Sequence, residues 1–119
     1  MWPTPFAPIL LTTLGAQEFL PPTVVAASVA ASAITPLPGN SGGDPGNPDI
    51  RVENLTNGWA ICNFGDGNQG PATLLNGIGV PPGMEKIIRV AGTTNSVSVI
   101  LGTGATAGSV RFVRGSGID

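Results

Sequence analysis

From Asp49 onward the chain alternates short apolar runs with turn signals, and each run carries the period-two spacing of a strand. In IRVEN, Ile50 and Val52 fall on one side and Arg51 and Glu53 on the other. Asn57-Gly58 then marks a tight turn of the hairpin kind. WAICNFG is apolar on both sides, with Trp59, Ile61 and Asn63 alternating against Ala60, Cys62 and Phe64, which predicts a central strand with Trp59 in the core. After the loop GDGNQGP come ATLLNG and IGVPPGM, with a bend at Pro81-Pro82-Gly83, and then EKIIRV, where Ile88 and Val90 share one face. SVSVIL sets Val97, Val99 and Leu101 against Ser96, Ser98 and Ile100, and SVRFVRG sets Val110 and Phe112 against Arg111 and Val113. Six or seven strands in about 70 residues, with no helical period, predict an all-β fold, a small antiparallel β-sandwich or jelly-roll-like barrel.

The first part of the chain reads differently. Nine of the 12 prolines fall before Ile50, and each fixes φ and removes a backbone donor, so this segment cannot be a compact helix or a central strand. It also holds one charge, Glu18, in its first 43 residues, whereas the remaining 76 hold the other eleven. The division that follows is an extended apolar arm over 1–38, a Gly/Pro/Asn linker over 39–49 and the β-domain over 50–119. An arm this apolar needs a surface, which is its own domain, a sister subunit or a larger assembly; the small area of a domain of about 70 residues favours another subunit. VVAASVAASAI, from Val24 to Ile34, resembles the end of a secretory leader, but no Lys or Arg precedes Arg51 and Pro21-Pro22 interrupts the approach. Eleven apolar residues are also too few to span a bilayer as a helix, so no membrane is expected.

Composition removes whole classes of chemistry. Histidine is absent, which excludes an imidazole base, a Ser-His-Asp or Cys-His arrangement and a His-based metal site. A single cysteine forms no internal disulfide and no Cys-rich cluster, which fits synthesis in a reducing compartment. Five scattered basic residues and a net charge of -2 give no electrostatic footprint for nucleic acid.

The remaining candidate motifs have plain structural readings. Cys62 lies in an apolar strand with no base nearby and reads as core packing. Gly102 to Gly108, GTGATAG, lacks the Gly-Lys-Ser/Thr ending of a phosphate loop and reads as a hairpin turn. Asp66-Gly67-Asn68 lacks the further acidic ligands of a calcium loop, and Asn54-Leu55-Thr56 matches a glycosylation acceptor by chance at a strand end. Glu85 and Asp66 are not paired by any spacing that makes an acid and a base. No enzyme, metal or cofactor is expected.

Three stretches carry a resemblance: RVENLTNGWAICNFGDG, NGIGVPPGMEKIIRV and SVSVILGTGATAGSVRFVRGSG. Over Ile50 to Gly117 the chain resembles small tailed-bacteriophage proteins encoded near the major capsid protein, similar in build to capsid decoration or cement proteins. The resemblance implies a virion structural protein on the capsid surface, made in the host cytoplasm, that bridges neighbouring capsid subunits and contacts the major capsid protein and further copies of itself. The arm lies outside the resemblance. Its large apolar side chains, Trp2, Phe6, Phe19 and Leu20, are the expected anchors on a partner. The alternative from another class is a tail-fibre or host-surface carbohydrate-binding module, which needs an exposed aromatic.

Overall fold

A computed structural model of the chain describes residues 7–8, 10–13, 16–19, 21–39 and 43–116, with backbone alone for residues 7–19 and 116. Eleven strands run through them in order: β1 (Ala7–Pro8), β2 (Leu10–Thr13), β3 (Ala16–Phe19), β4 (Thr23–Ala27), β5 (Thr35–Pro36), β6 (Asp49–Asn54), β7 (Ala60–Gly65), β8 (Ile78–Val80), β9 (Glu85–Arg89), β10 (Ser96–Leu101) and β11 (Gly108–Ser116). The fold is all-β, as the period-two runs predict, and six of these strands fall from Asp49 onward.

Two antiparallel sheets make a sandwich. One is ordered β4-β11-β6-β9, with β1 pairing farther along β11, and the other β5-β10-β7-β8. Each consecutive pair, β4/β5, β6/β7, β8/β9 and β10/β11, passes from one sheet to the other. That is jelly-roll wiring, in which strands pass back and forth between two facing sheets, β7 and β8 being the one consecutive pair from β4 to β11 that stays within a sheet.

The wiring corrects two turn predictions. Residues on either side of Asn57-Gly58 belong to different sheets, so this is a crossing between sheets and not a hairpin. The same holds for GTGATAG, which leads from β10 in one sheet to β11 in the other. Turn chemistry is local and gave the reversal correctly, but hairpin and crossing loops use the same Asn and Gly residues. The bend at Pro81-Pro82-Gly83 forms as predicted, with Met84 N donating to the Pro81 carbonyl at 3.2 Å and Gly83 at φ 70°.

Between the sheets lie Ile50, Val52, Val110 and Phe112 from one side and Ala60, Cys62, Val80, Val97, Val99 and Leu101 from the other. Phe64 meets Phe112 edge to face across the gap, with ring centroids 6.0 Å apart. β7 is central in its sheet, between β10 and β8, as its two-sided apolar pattern predicts.

The arm predicted over 1–38 divides. For residues 23–37 the surface is the chain's own domain, a correction to the preference for another subunit. Thr23–Ala27 pairs with β11, burying Val25 and Ala27, and the chain then crosses at Ser28 to run along β10, where Leu37 is buried. Its prolines permit this because Pro36 sits in an edge strand, where a missing donor leaves no gap in the ladder. Trp2, Phe6 and Leu20 lie outside the described residues, and of Phe19 only its backbone place in β3 is described. The linker predicted over 39–49 ends one residue early, since Asp49 begins β6.

Arg114 fastens the linker to the domain. It points into the sandwich end and is 1% exposed, with Nε donating to the Pro38 carbonyl at 2.6 Å, Nη1 to the Asn47 carbonyl at 3.1 Å and Nη2 to the Thr94 carbonyl at 2.6 Å. Burial pushes its pKa down, opposed by the nearby Asp44 carboxylate.

Candidate interaction face

The two sheets differ in charge. The strands of the β4-β11-β6-β9 sheet carry eight of the chain's 12 charged residues, and the strands of the other sheet carry none. On the outer surface of the charged sheet, Glu53 accepts from Arg111 Nη1 at 2.9 and 3.0 Å and from Arg51 Nε at 3.2 Å. These cations also offset the like charge of Glu85, which lies directly across the ladder from Glu53. At the far end Arg89 grips buried Asp49 at 3.0 and 3.4 Å, and that hydrogen bond raises the arginine's pKa. This is a solvated, ion-paired surface, whose individual pairs contribute little to stability.

The outer surface of the second sheet is built from apolar and amide side chains. Ile100 is in register with Ile61, and Ile61 with Gly79 of β8. Trp59 lies against this row, within van der Waals reach of a side chain placed at Gly79, and it is 53% exposed. The sequence reading put Trp59 in the core. Its position one residue before β7 gives it the outward side of the alternation that puts Ala60, Cys62 and Phe64 inside, and Gly79 leaves the space it occupies.

The loop between β7 and β8 folds over the rest of this surface. Asn63 Nδ2 donates to the Gly70 carbonyl at 2.8 Å, Gln69 Nε2 to Ser96 Oγ at 3.0 Å and Ala72 N to Ser98 Oγ at 2.9 Å. Ser98 Oγ donates in turn to the Ser32 carbonyl at 2.8 Å, so Ser96 and Ser98, though on the outward side of β10, are buried with their hydroxyls bonded. The loop ends in a tight turn closed by Thr73 and Asn76, which holds Leu74 and Leu75 out at 50% and 100% exposure.

Residues at the crossing loops fix the edge of this face. Asn54 is buried and saturated: its Nδ2 donates to the Gly58, Val80 and Pro81 carbonyls at 2.8, 2.9 and 3.1 Å, and its Oδ1 accepts from Thr56 N and Thr56 Oγ1 at 3.0 and 2.7 Å. The amide that matches a glycosylation acceptor is therefore committed inside the fold. Asn57 and Thr106 exchange bonds at 3.2 and 2.8 Å and tie two crossing loops together. Gly102 N donates to the Trp59 carbonyl at 2.8 Å, which ties the backbone at Trp59 to the loop after β10.

The other candidate residues have no such setting. Cys62 is buried among core residues, and desolvation pushes its thiol up to about 12, so it is inert packing as predicted. Asp66 Oδ1 accepts from Asn68 N at 3.0 Å, capping its own turn. It follows β7 at the end of the sandwich opposite Glu85, so the two carboxylates do not meet. Among the described residues no group of three or more His, Cys, Asp or Glu side chains is placed to hold a metal ion, and no helix is long and apolar enough to cross a membrane. Sequence reasoning missed Trp59, Leu74 and Leu75 as surface residues. The available signal was the run from Asn54 to Met84, which contains one charge, Asp66.

Comparison of the chain with protein-family models, curated proteins and solved structures finds no match, so the charge asymmetry and the exposed Trp59 carry the functional argument.

Proposed function

We propose that this is a virion structural protein, a capsid decoration or cement protein that lies against the shell through its uncharged sheet and bridges neighbouring capsid subunits. The observation that carries the reading is the partition of charge: a surface made for water keeps its ions, and a surface made for lasting contact sheds them and presents aromatic and aliphatic groups. Covering the exposed half of Trp59, about 100 Å² of ring, contributes about 2.5 kcal/mol at one contact. Many copies on a repeating shell multiply such a contact. Jelly-roll architecture serves capsid and lectin domains alike and is compatible with the reading without deciding it.

The test is co-sedimentation of purified protein with shells stripped of it. The wild-type chain pellets with the shells, and Trp59→Ala shows a loss of binding of tenfold or more by the burial argument, about 1.4 kcal/mol per tenfold. Equal binding by both proteins refutes the docking face, and no pelleting by the wild type refutes the function.

Trp59 also favours a second reading, a carbohydrate-binding module. A half-exposed indole beside a glycine and away from charge offers a flat platform on which a sugar ring stacks. Binding of the wild-type protein to a glycan array, lost in Trp59→Ala and without binding to shells, decides for this reading.

A further inference from the structure

Two Asn-Gly pairs stand in the chain, Asn57-Gly58 and Asn76-Gly77. Glycine has no side chain to shield its backbone nitrogen, so that nitrogen reaches the side-chain amide carbon of the asparagine before it, and such pairs are the most labile amides of a protein at neutral to alkaline pH.

The fold sets the two pairs apart. Asn57 is held at both polar atoms of its side chain, Nδ2 donating to Thr106 Oγ1 at 3.2 Å and Oδ1 accepting from Thr106 N at 2.8 Å. The nitrogen that would attack it, Gly58 N, donates to Thr56 Oγ1 at 3.3 Å. Attack there first has to break these bonds. At the second pair both residues are exposed. Asn76 Nδ2, the leaving atom, has no partner among the described residues, while Oδ1 accepts from Thr73 N at 2.6 Å. An N–H already aimed at that oxygen polarises the carbonyl and meets the negative charge that forms on it during attack.

The turn also accounts for this pairing of residues. Gly77 has φ 102°, and a Cβ there would lie 2.4 Å from the Cys62 carbonyl oxygen, so a side chain does not fit. Asn76 closes the turn through its bond to Thr73, and the closed turn holds Leu74 and Leu75 outward. The geometry that presents the two leucines thus sets an amide directly before a glycine.

We infer that Asn76 is a self-modification site, at which the chain converts an amide into a carboxylate on its uncharged face. Gly77 N attacks Asn76 Cγ and gives up its proton, the Cγ–Nδ2 bond breaks, and ammonia leaves with that proton as a five-membered succinimide closes. Water then opens the ring at either carbonyl, giving aspartate at position 76 or its isomer linked through the side-chain carboxyl. No oxidant or cofactor enters. An aspartate oxygen still accepts from Thr73 N, so the turn persists in that product. The strands of this sheet carry no charge, and the conversion places one beside them.

The test incubates the full chain at pH 8 for days, native and in urea, and follows the tryptic peptide Val52–Lys86, which holds both asparagines, by tandem mass spectrometry. In the native chain Asn76 should convert about tenfold or more faster than Asn57, since each bond that must break slows attack several-fold. In urea the two rates should come together. Equal native rates overturn the inference, as does an Asn76 that converts in urea but not in the native chain. Mixing the aged chain with stripped shells reads the effect of the charge, and this arm alone rests on the shell reading. The pellet should be depleted in converted chains, and a pellet as rich in them as the supernatant overturns the effect on docking. If no chain pellets, the shell reading falls, and the modification, measured in solution, stands.

Discussion

Replacing Arg114 by Met removes three hydrogen bonds that close one end of the sandwich. The guanidinium is the shared donor to the carbonyls of Pro38, Asn47 and Thr94, so it joins the linker before β6 to the loop before β10. The bonds to Pro38 and Thr94 are both buried and both 2.6 Å long. Leaving two buried carbonyls without a donor costs about 1–3 kcal/mol each. Part of this is returned, because a buried cation is itself expensive to desolvate and its pKa is pushed down for that reason. The net expectation is a loss of about 3 kcal/mol, a large share of the 5–15 kcal/mol typical of a domain. With a urea m-value of about 1–3 kcal/mol/M, the unfolding midpoint should fall by roughly 1–3 M. Equilibrium urea denaturation followed by circular dichroism measures it. Arg114→Lys should recover about half the loss, since one ammonium keeps the charge but does not span three divergent carbonyls. An Arg114→Met protein within about 0.5 kcal/mol of wild type refutes the claim that this residue closes the fold.

Other outcomes follow from the same structure. Asn54→Ala should lower stability by about 3 kcal/mol, measured by the same denaturation, because it strips bonds from two crossing loops and orphans the buried Thr56 amide. Gly77→Ala should cost about 2–3 kcal/mol, read as a fall in melting temperature, since Gly77 has φ 102° and a Cβ there meets the Cys62 carbonyl. The Cys62 thiol titrates near 9.0 when free and about 12 in the fold, so above 9 the unfolded chain loses its proton first. Stability should therefore fall with rising pH across that window by about 1.4 kcal/mol per unit, an effect absent from Cys62→Ala. At pH 8 the native thiol should resist Ellman's reagent until urea is added.

The fold class was legible because the apolar residues that face the core recur at every second position, as Ile50 and Val52, Val97 and Val99, and Val110 and Phe112 show directly. The strand partners were not legible. Asn57-Gly58 and Gly102 to Gly108 signal reversals, but whether the returning strand pairs in the same sheet or crosses the core depends on contacts far apart in sequence. Proline content similarly misassigned residues 23–37, where edge positions tolerate a missing donor and the buried Val25, Ala27 and Leu37 fit between the sheets. Charge was the sharper signal, though its informative contrast is between two sheets and not between two ends of the chain. Seeing that Asp49, Arg51, Glu53, Glu85, Lys86, Arg89, Arg111 and Arg114 share one sheet requires the topology. Trp59 was placed inside by its apolarity, whereas its face is set by the phase of β7 and the space at Gly79.

The central claim is that the uncharged sheet faces the shell and the charged sheet faces water. A paired co-sedimentation with stripped shells tests it most directly, using Trp59→Lys on the first surface and Arg111→Glu on the second, both checked for wild-type circular dichroism. Trp59→Lys should lose binding, because a cation is then buried unpaired in the contact, and Arg111→Glu should bind as wild type. The reverse pattern, with Arg111→Glu released and Trp59→Lys retained, would contradict the account.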